Sequence, residues 1–325
     1  LKNSTCNKSL IFLMKLCVQK NGRLFLYNFY MHLKSVTLPG QNYILDYTDN
    51  HSINDYPYFV FLEKDLTRIE FDKITVFYGN NGSGKSTLLN LIGEKLRCER
   101  KQKIYIDVKH LIKNTDKVHL NIPYKPFEDF LSKIDFSLFD SETMPAIKKV
   151  ITSDDIFSEI NYRINKNYLI IKQTDDQREK YKELNSGTHK YTNLTDYDEL
   201  MKARRSTLHQ YTRSIEDTKI EINSNGETAI GKFYNSFEEN GLYLLDEPEN
   251  CLSPIFQIEL IKLIEESARY FNCQFIIATH SPLILSINEA KIYDLDAVPV
   301  DTKKWYELQN VKIYFDFFMK NKDKF

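Results

Sequence analysis

At 325 residues the chain is long enough to bury a sizeable core, either as one large domain or as one domain carrying an insertion. Its 44 lysines and arginines against 45 acidic residues leave no net field to draw it to nucleic acid or a membrane surface, although a local basic patch would not show in that sum. Five scattered cysteines (Cys6, Cys17, Cys98, Cys251, Cys273) without a C-x-x-C pair speak against a disulfide frame or zinc site and for reduced thiols in the cytoplasm, and no run nears the roughly 18 apolar residues of a membrane span.

Residues 1–30 show no clear period, and Met31 is followed by a plausible strand from Leu33 to Leu38. Two arrangements fit: an extension placed before a domain spanning 31–325, or an ordinary N-terminal strand and helix. From Met31 to Glu70 the turn signals Pro39-Gly40 and Asn54-Asp55 separate short aromatic-rich runs, which predicts strands and hairpins. Tyr56, Tyr58 and Phe59 suit sheet core or stacking on an adenine.

An alternating apolar run, Ile74 to Tyr78, then leads into Gly79-Asn80-Asn81-Gly82-Ser83-Gly84-Lys85-Ser86-Thr87, and a helix-like run follows from Leu88 to Leu96. Strand, G-x-x-x-x-G-K-S and helix in that order are the context of a P-loop. Glycines let backbone N–H groups curl around phosphate oxygens without Cβ clashes, and the helix N-terminus adds its partial positive charge. Lys85 is then the side chain that reaches the β- and γ-phosphates of ATP, and the Ser86 hydroxyl is a Mg²⁺ ligand.

Lys103 to Val108 reads as a strand, with Ile104, Ile106 and Val108 on one face. Regularity is lost over residues 110–222, where Pro123, Pro126 and Pro145 break the early part and the later part is polar and helix-prone; this is the candidate helical insertion. Asp196 to Ile222 reads as one long helix of mixed charge, a solvated face or a docking arm and not a basic stripe for nucleic acid. Glu227 to Asn240 is predicted helical, with Gly241 as its stop. Leu242 to Leu245 and Phe275 to Ala278 are short, wholly apolar runs of the kind buried on both faces of a parallel sheet. Between them Ser253-Pro254 starts a helix whose apolar positions Ile258, Ile261, Leu263 and Ile264 suit packing on that sheet. Strand, helix, strand is the crossover unit of an α/β fold.

Ligands of such sheets bind at the carboxyl ends of the strands, so Asp246 and Glu247 are expected at the P-loop. Asp246 is the expected Mg²⁺ partner, and Glu247 is placed to act as general base toward an attacking water. His280, at the end of the next buried strand, belongs on the same rim, within reach of a γ-phosphate.

These segments carry a family resemblance. Leu245-Asp246-Glu247-Pro248-Glu249 resembles the Walker B segment of ABC-type ATPases, Ser253-Pro254 falls at the D-loop, and Ala278-Thr279-His280-Ser281-Pro282 resembles the H-switch. Asn223-Ser224-Asn225-Gly226-Glu227 is a partial match to the L-S-G-G-Q/E signature, with Ser224, Gly226 and Glu227 fitting. The phrase from Leu242 to Pro254 and the ending of Trp305 plus a C-terminal helix are most similar to soluble bacterial "AAA family" ATPases, AbiEii-like and RecF/SMC-like, often found beside prokaryotic defence genes. No Q-loop glutamine can be placed; Thr152-Ser153-Asp154-Asp155 falls in that region.

The resemblance implies a P-loop NTPase of ABC-ATPase type, with a mixed sheet, flanking helices and a helical lid at about 110–222. It implies ATP and Mg²⁺ as ligands and an ATP-gated head-to-tail homodimer, in which Ser224, Gly226 and Glu227 of one chain cap the nucleotide on the P-loop of the other. Such a dimer would act as a switch for a protein effector. Two other roles remain open at this point: a RecF/SMC-like DNA-repair head, with a span between Ser86 and Ser224 too short for a long coiled coil, and the cytosolic subunit of a transporter.

Overall fold

The computed structural model describes residues 17–20, 23–26, 31–40, 61, 64–101, 130–139, 144–187, 193–216 and 225–324. The three runs read as buried strands lie side by side and parallel: β5 (Ile74–Tyr78), β9 (Gln274–Thr279) and β8 (Leu242–Asp246), with β9 in the middle. Their register sets Tyr78 beside Thr279 and Asp246 beside Ala278, so the three strands end along one line. β10 (Lys291–Asp294) continues the parallel set beyond β5, and β11 (Asp301–Lys303) closes that edge antiparallel. On the other side β7 (Lys148–Thr152) lies parallel to β8, giving six described strands in the order β11-β10-β5-β9-β8-β7, and Glu99 bridges to the outer side of β7 through its N–H, which donates to the Lys148 carbonyl at 2.7 Å. Away from it, β3 (Leu33–Thr37) pairs antiparallel with β4 (Arg68–Glu70) and β6 (Asp135–Leu138), and β1 (Cys17–Lys20) pairs with β2 (Arg23–Leu26).

Alternation along the strands divides the core in two. Val76, Tyr243, Leu245, Phe275 and Ile277 face α5 (Asn225–Ser236) and α6 (Pro254–Tyr270), meeting Ala229, Phe233, Leu260 and Ile264. Phe77, Val150, Leu244, Ile276 and Ala278 face the other way, toward Leu88, Leu89 and Ile92 of α1 (Lys85–Lys95) and Leu33, Val36 and Ile69 of the small sheet. A helix layer thus covers one face, while α1 and the small sheet cover the other.

Within the stretch 110–222, residues 130–133 are helical, β6 and β7 are strands, and from Ser153 the chain runs as α2 (Ser153–Asn185), 33 residues long. Its start is a capping box: Asp155 N–H donates to Thr152 Oγ1 at 3.2 Å, and the Asp155 carboxylate accepts from the Thr152 N–H at 3.0 Å. The single helix expected from Asp196 to Ile222 is instead two, α3 (Leu194–Arg205) and α4 (Leu208–Glu216), packed against α2. The break is a second capping box, in which Gln210 N–H donates to Thr207 Oγ1 at 3.3 Å and Thr207 N–H to Gln210 Oε1 at 3.0 Å. Residues 217–222 of that expected helix lie outside the described residues.

Two further expectations are corrected. α5 ends at Ser236 and not at Asn240. Beyond it Phe237 turns into the Phe233, Tyr243 and Phe275 rings, and the Tyr243 hydroxyl accepts from the Glu238 N–H at 2.6 Å and donates to its carbonyl at 3.0 Å. Gly241 is small because a Cβ there would come within 2.5 Å of the Tyr243 ring. In α6, Ile258 is 45 % exposed, and the inward stripe runs through Leu260, Ile264, Ser267 and Ala268. The expected strand Lys103 to Val108, the aromatics Tyr56, Tyr58 and Phe59, and Ser224 lie outside the described residues. Cys98, Cys251 and Cys273 are free, and burial pushes the first two thiols up to about 11. Among the described residues no helix is long and apolar enough to cross a membrane.

Candidate functional site

After Tyr78 the chain leaves the sheet and turns back as a loop into α1. Gly82 and Gly84 take φ of 83° and 97°, a region that side chains disfavour, and a Cβ on Gly79 would sit 2.4 Å from Ser83 Oγ. α1 starts at Lys85 with no side chain capping its first turn, which leaves the helix end to an anion. Lys85 is only 4 % exposed, and its ammonium donates to the carbonyls of Gly79 at 2.7 Å and Asn80 at 3.1 Å. Ser83 Oγ is buried without a partner. An uncapped helix start, an orphaned hydroxyl and a buried cation held only by carbonyls and a carboxylate 3.8 Å away form a cradle that suits a phosphate chain.

β8 carries the acidic side of the site. Ser86 Oγ, in the first turn of α1, donates to Asp246 Oδ1 at 2.8 Å. Two hard oxygens at this separation fit Mg²⁺, which keeps most of its waters and takes few protein ligands. Burial pushes the Asp246 carboxyl up to about 6; the Ser86 hydrogen bond and Lys85 pull it down, while Glu247 and Glu249 raise it. Between the ordinary carboxyl range and pH 6 the folded chain therefore binds one more proton than the unfolded chain, and stability falls as pH rises through that window. Above it, the ionised carboxyl costs on the order of 2–3 kcal/mol. Asp246→Asn is expected to raise the unfolding free energy at pH 8 by that order when Mg²⁺ is absent, and to lose the gain below pH 4. Urea denaturation at both pH values measures this, and an equally destabilised variant at pH 8 would contradict it.

Glu247 follows in the left-handed region, φ 46°, which turns the chain out of the sheet, and its N–H donates to the Ala278 carbonyl at 2.9 Å. Its Oε2 accepts from Asn250 Nδ2 at 3.0 Å, and its Oε1 lies 3.8 Å from both Lys85 Nζ and His280 Nδ1. The P-loop residues 79–87, Asp246, Glu247 and His280 are thus brought to one rim. Gly226 and Glu227 lie in the first described turn of α5, which already includes Asn225 and so does not start after Gly226. Gly226 packs on Phe256 of α6, where a Cβ would come within 2.5 Å of the ring.

Three contributors were not read from the sequence. The Asp296 carboxylate accepts the Asn80 N–H at 2.9 and 3.1 Å, and Lys64 donates to the carbonyls of Ser83, at 2.8 Å, and Leu295, so the loop is also held from outside. The signal for Asp296 was its place just past a parallel strand, β10. Glu249 is buried and binds the His280 loop, and the sequence showed it only as the acid directly after Pro248.

Residues 227–285 match the family model of an AAA ATPase domain, and residues 52–93 match that of an AAA domain. No functionally curated protein matches the chain in sequence. Among solved structures it is similar to the SMC head domain from Thermotoga maritima (12 % identity, 84 % of this chain and 99 % of that chain, TM-score 0.36). It is similar to a Pyrococcus furiosus Smc head domain bound to the C-terminal domain of ScpA (14 %, 77 % and 94 %, TM-score 0.32). A third is a metal-chelate-type ABC transporter in an inward-facing conformation (17 %, 74 % and 76 %, TM-score 0.34).

Proposed function

We propose that the chain binds ATP with Mg²⁺ at this rim, hydrolyses it, and uses the cycle as a dimeric switch for a protein effector. The observation that carries the reading is the 2.8 Å bond between Ser86 and Asp246 beside the buried Lys85, at the uncapped start of α1. Lys85 exchanges the Gly79 and Asn80 carbonyls for the β- and γ-phosphate oxygens. Ser86 and Asp246 would hold the metal, which supplies charge neutralisation at the phosphates when bound. Glu247 takes a proton from the attacking water as the water oxygen bonds to the γ-phosphorus and the bond to ADP breaks. His280 binds an oxygen of the γ-phosphate from the other side.

Dimerisation rests on the partial signature Asn223 to Glu227, of which Gly226 and Glu227 lie in the first described turn of α5. A protein partner is supported by the C-terminal helix α8 (Gln309–Lys320), which leaves Ile313, Phe315, Phe317 and Phe318 largely exposed. The single 33-residue helix α2 favours, as a second reading, a RecF/SMC-like head acting in DNA repair.

The test is Ser224→Arg in the purified chain. ATP binding to each monomer should persist while ATP-driven dimerisation, followed by light scattering, is lost. Mixing this variant with Lys85→Ala should restore one working site per heterodimer and part of the Mg²⁺-dependent turnover. Normal hydrolysis by Ser224→Arg alone would reduce the protein to a monomeric P-loop ATPase.

A further inference from the structure

Glu249 takes no part in the chemistry above, yet it is the buried carboxylate of the site, 7 % exposed. It sits in the 3-10 turn Pro248–Cys251 directly after Glu247. One oxygen, Oε1, accepts the Thr279 hydroxyl at 2.6 Å and the N–H groups of His280 at 3.0 Å and Ser281 at 3.2 Å. The same oxygen lies 3.3 Å from His280 Nδ1. Among the described residues the other oxygen, Oε2, is buried without a hydrogen-bond partner, and so is His280 Nδ1. Each is costly to bury alone, and with Nδ1 already 3.3 Å from the carboxylate a rotation of the ring would pair them.

The backbone around them cannot supply the movement. Asn310 Nδ2 of α8 donates to the His280 carbonyl at 2.8 Å, and Ser281 Oγ donates to Gln257 Oε1 of α6 at 2.7 Å. With the loop held by β9, α6, α8 and Glu249 itself, the freedom left is rotation of the imidazole. Its charged neighbours are Glu249 and, at 3.8 Å, Glu247; Asn310, which reaches it from α8, is uncharged.

We infer that Glu249 is a positioning residue for His280: its carboxylate accepts the Nδ1–H, fixes the ring and tautomer, and leaves Nε2 for the substrate. The bond a histidine makes through one ring nitrogen decides what the other can do. The role in turnover rests on the ATPase reading, whereas the tautomer does not.

Two measurements test it. In ¹⁵N-histidine NMR of the nucleotide-free chain at pH 8, His280, assigned by its loss in His280→Ala, should be the Nδ1–H tautomer and should revert to Nε2–H in Glu249→Ala. In ATP turnover, Glu249→Ala should lower kcat by about 10–100-fold, the scale on which orienting partners act, with the KM for ATP within about twofold. Glu249→Gln keeps an oxygen for the two loop N–H groups, so it should unfold at the wild-type temperature and recover part of kcat. In a His280→Ala background Glu249→Ala should cost nothing more, because it acts through the ring. An Nε2–H wild type, or additive losses in the double variant, would overturn the inference. So would Glu249→Gln with reduced thermal stability and an untouched kcat, which is the pattern of a strut. A wild type without ATPase activity would sink the ATPase reading, and the tautomer would then decide this one by itself.

Discussion

Lys85→Ala is expected to lower ATP turnover by about 10²–10³-fold, the range seen when one preorganised charge or donor is removed from a transition state. The size follows from where the ammonium lies. It is 4 % exposed, beneath the loop, and its partners are two carbonyls and, more distantly, Glu247. In so dry a position a charge acts through a low dielectric and is not replaced by solvent. The loss should fall on the triphosphate end, so titration calorimetry should show weaker binding of ATP and little change for adenosine. A variant turning over at the wild-type rate would remove the P-loop from the mechanism.

Glu247→Gln is expected to retain ATP binding and to slow hydrolysis by at least ~10², the loss of a general base. The substitution keeps shape and leaves the left-handed turn at this position as it is, so the Ala278 contact is untouched. It removes only the capacity to take a proton. Slow hydrolysis then traps the ATP state, and light scattering should show the dimer accumulating with ATP and persisting for many wild-type turnover times. Unchanged turnover would leave a nucleotide-binding switch without hydrolysis at Glu247.

The parts legible from sequence were those with an unbroken local signal. β5, β8 and β9 are short and mostly apolar, because both faces of the sheet are covered, and each leads into residues whose chemistry has little use elsewhere. β7 was missed because it begins Lys148-Lys149: Lys148 donates to the Leu96 carbonyl at 2.8 Å and Lys149 pairs with Glu238, so two charged residues sit in a strand without being buried. Its two buried side chains, Val150 and Ile151, are too few to establish a period. The break between α3 and α4 was legible and went unread: Thr207-Leu208-His209-Gln210 is a capping-box sequence inside an otherwise helical run. Asp296 and Glu249 were beyond reach for another reason, since their partners lie far away in sequence and only the sheet order brings Asn80 or His280 to them.

That sheet order has a mechanical consequence at β7. Thr152 pairs beside Asp246, and the same threonine caps α2. At 1.5 Å per residue the 33-residue helix is a rod about 50 Å long, rooted one strand away from the acidic residues at the phosphate cradle. A rod anchored at one end converts angle into distance: a tilt of about 5° at Thr152 carries its far end some ~4 Å, with α3 and α4 riding on it. Displacements too small to be felt within a close-packed sheet would therefore be delivered, at the tip, as a stroke comparable to the width of a side chain.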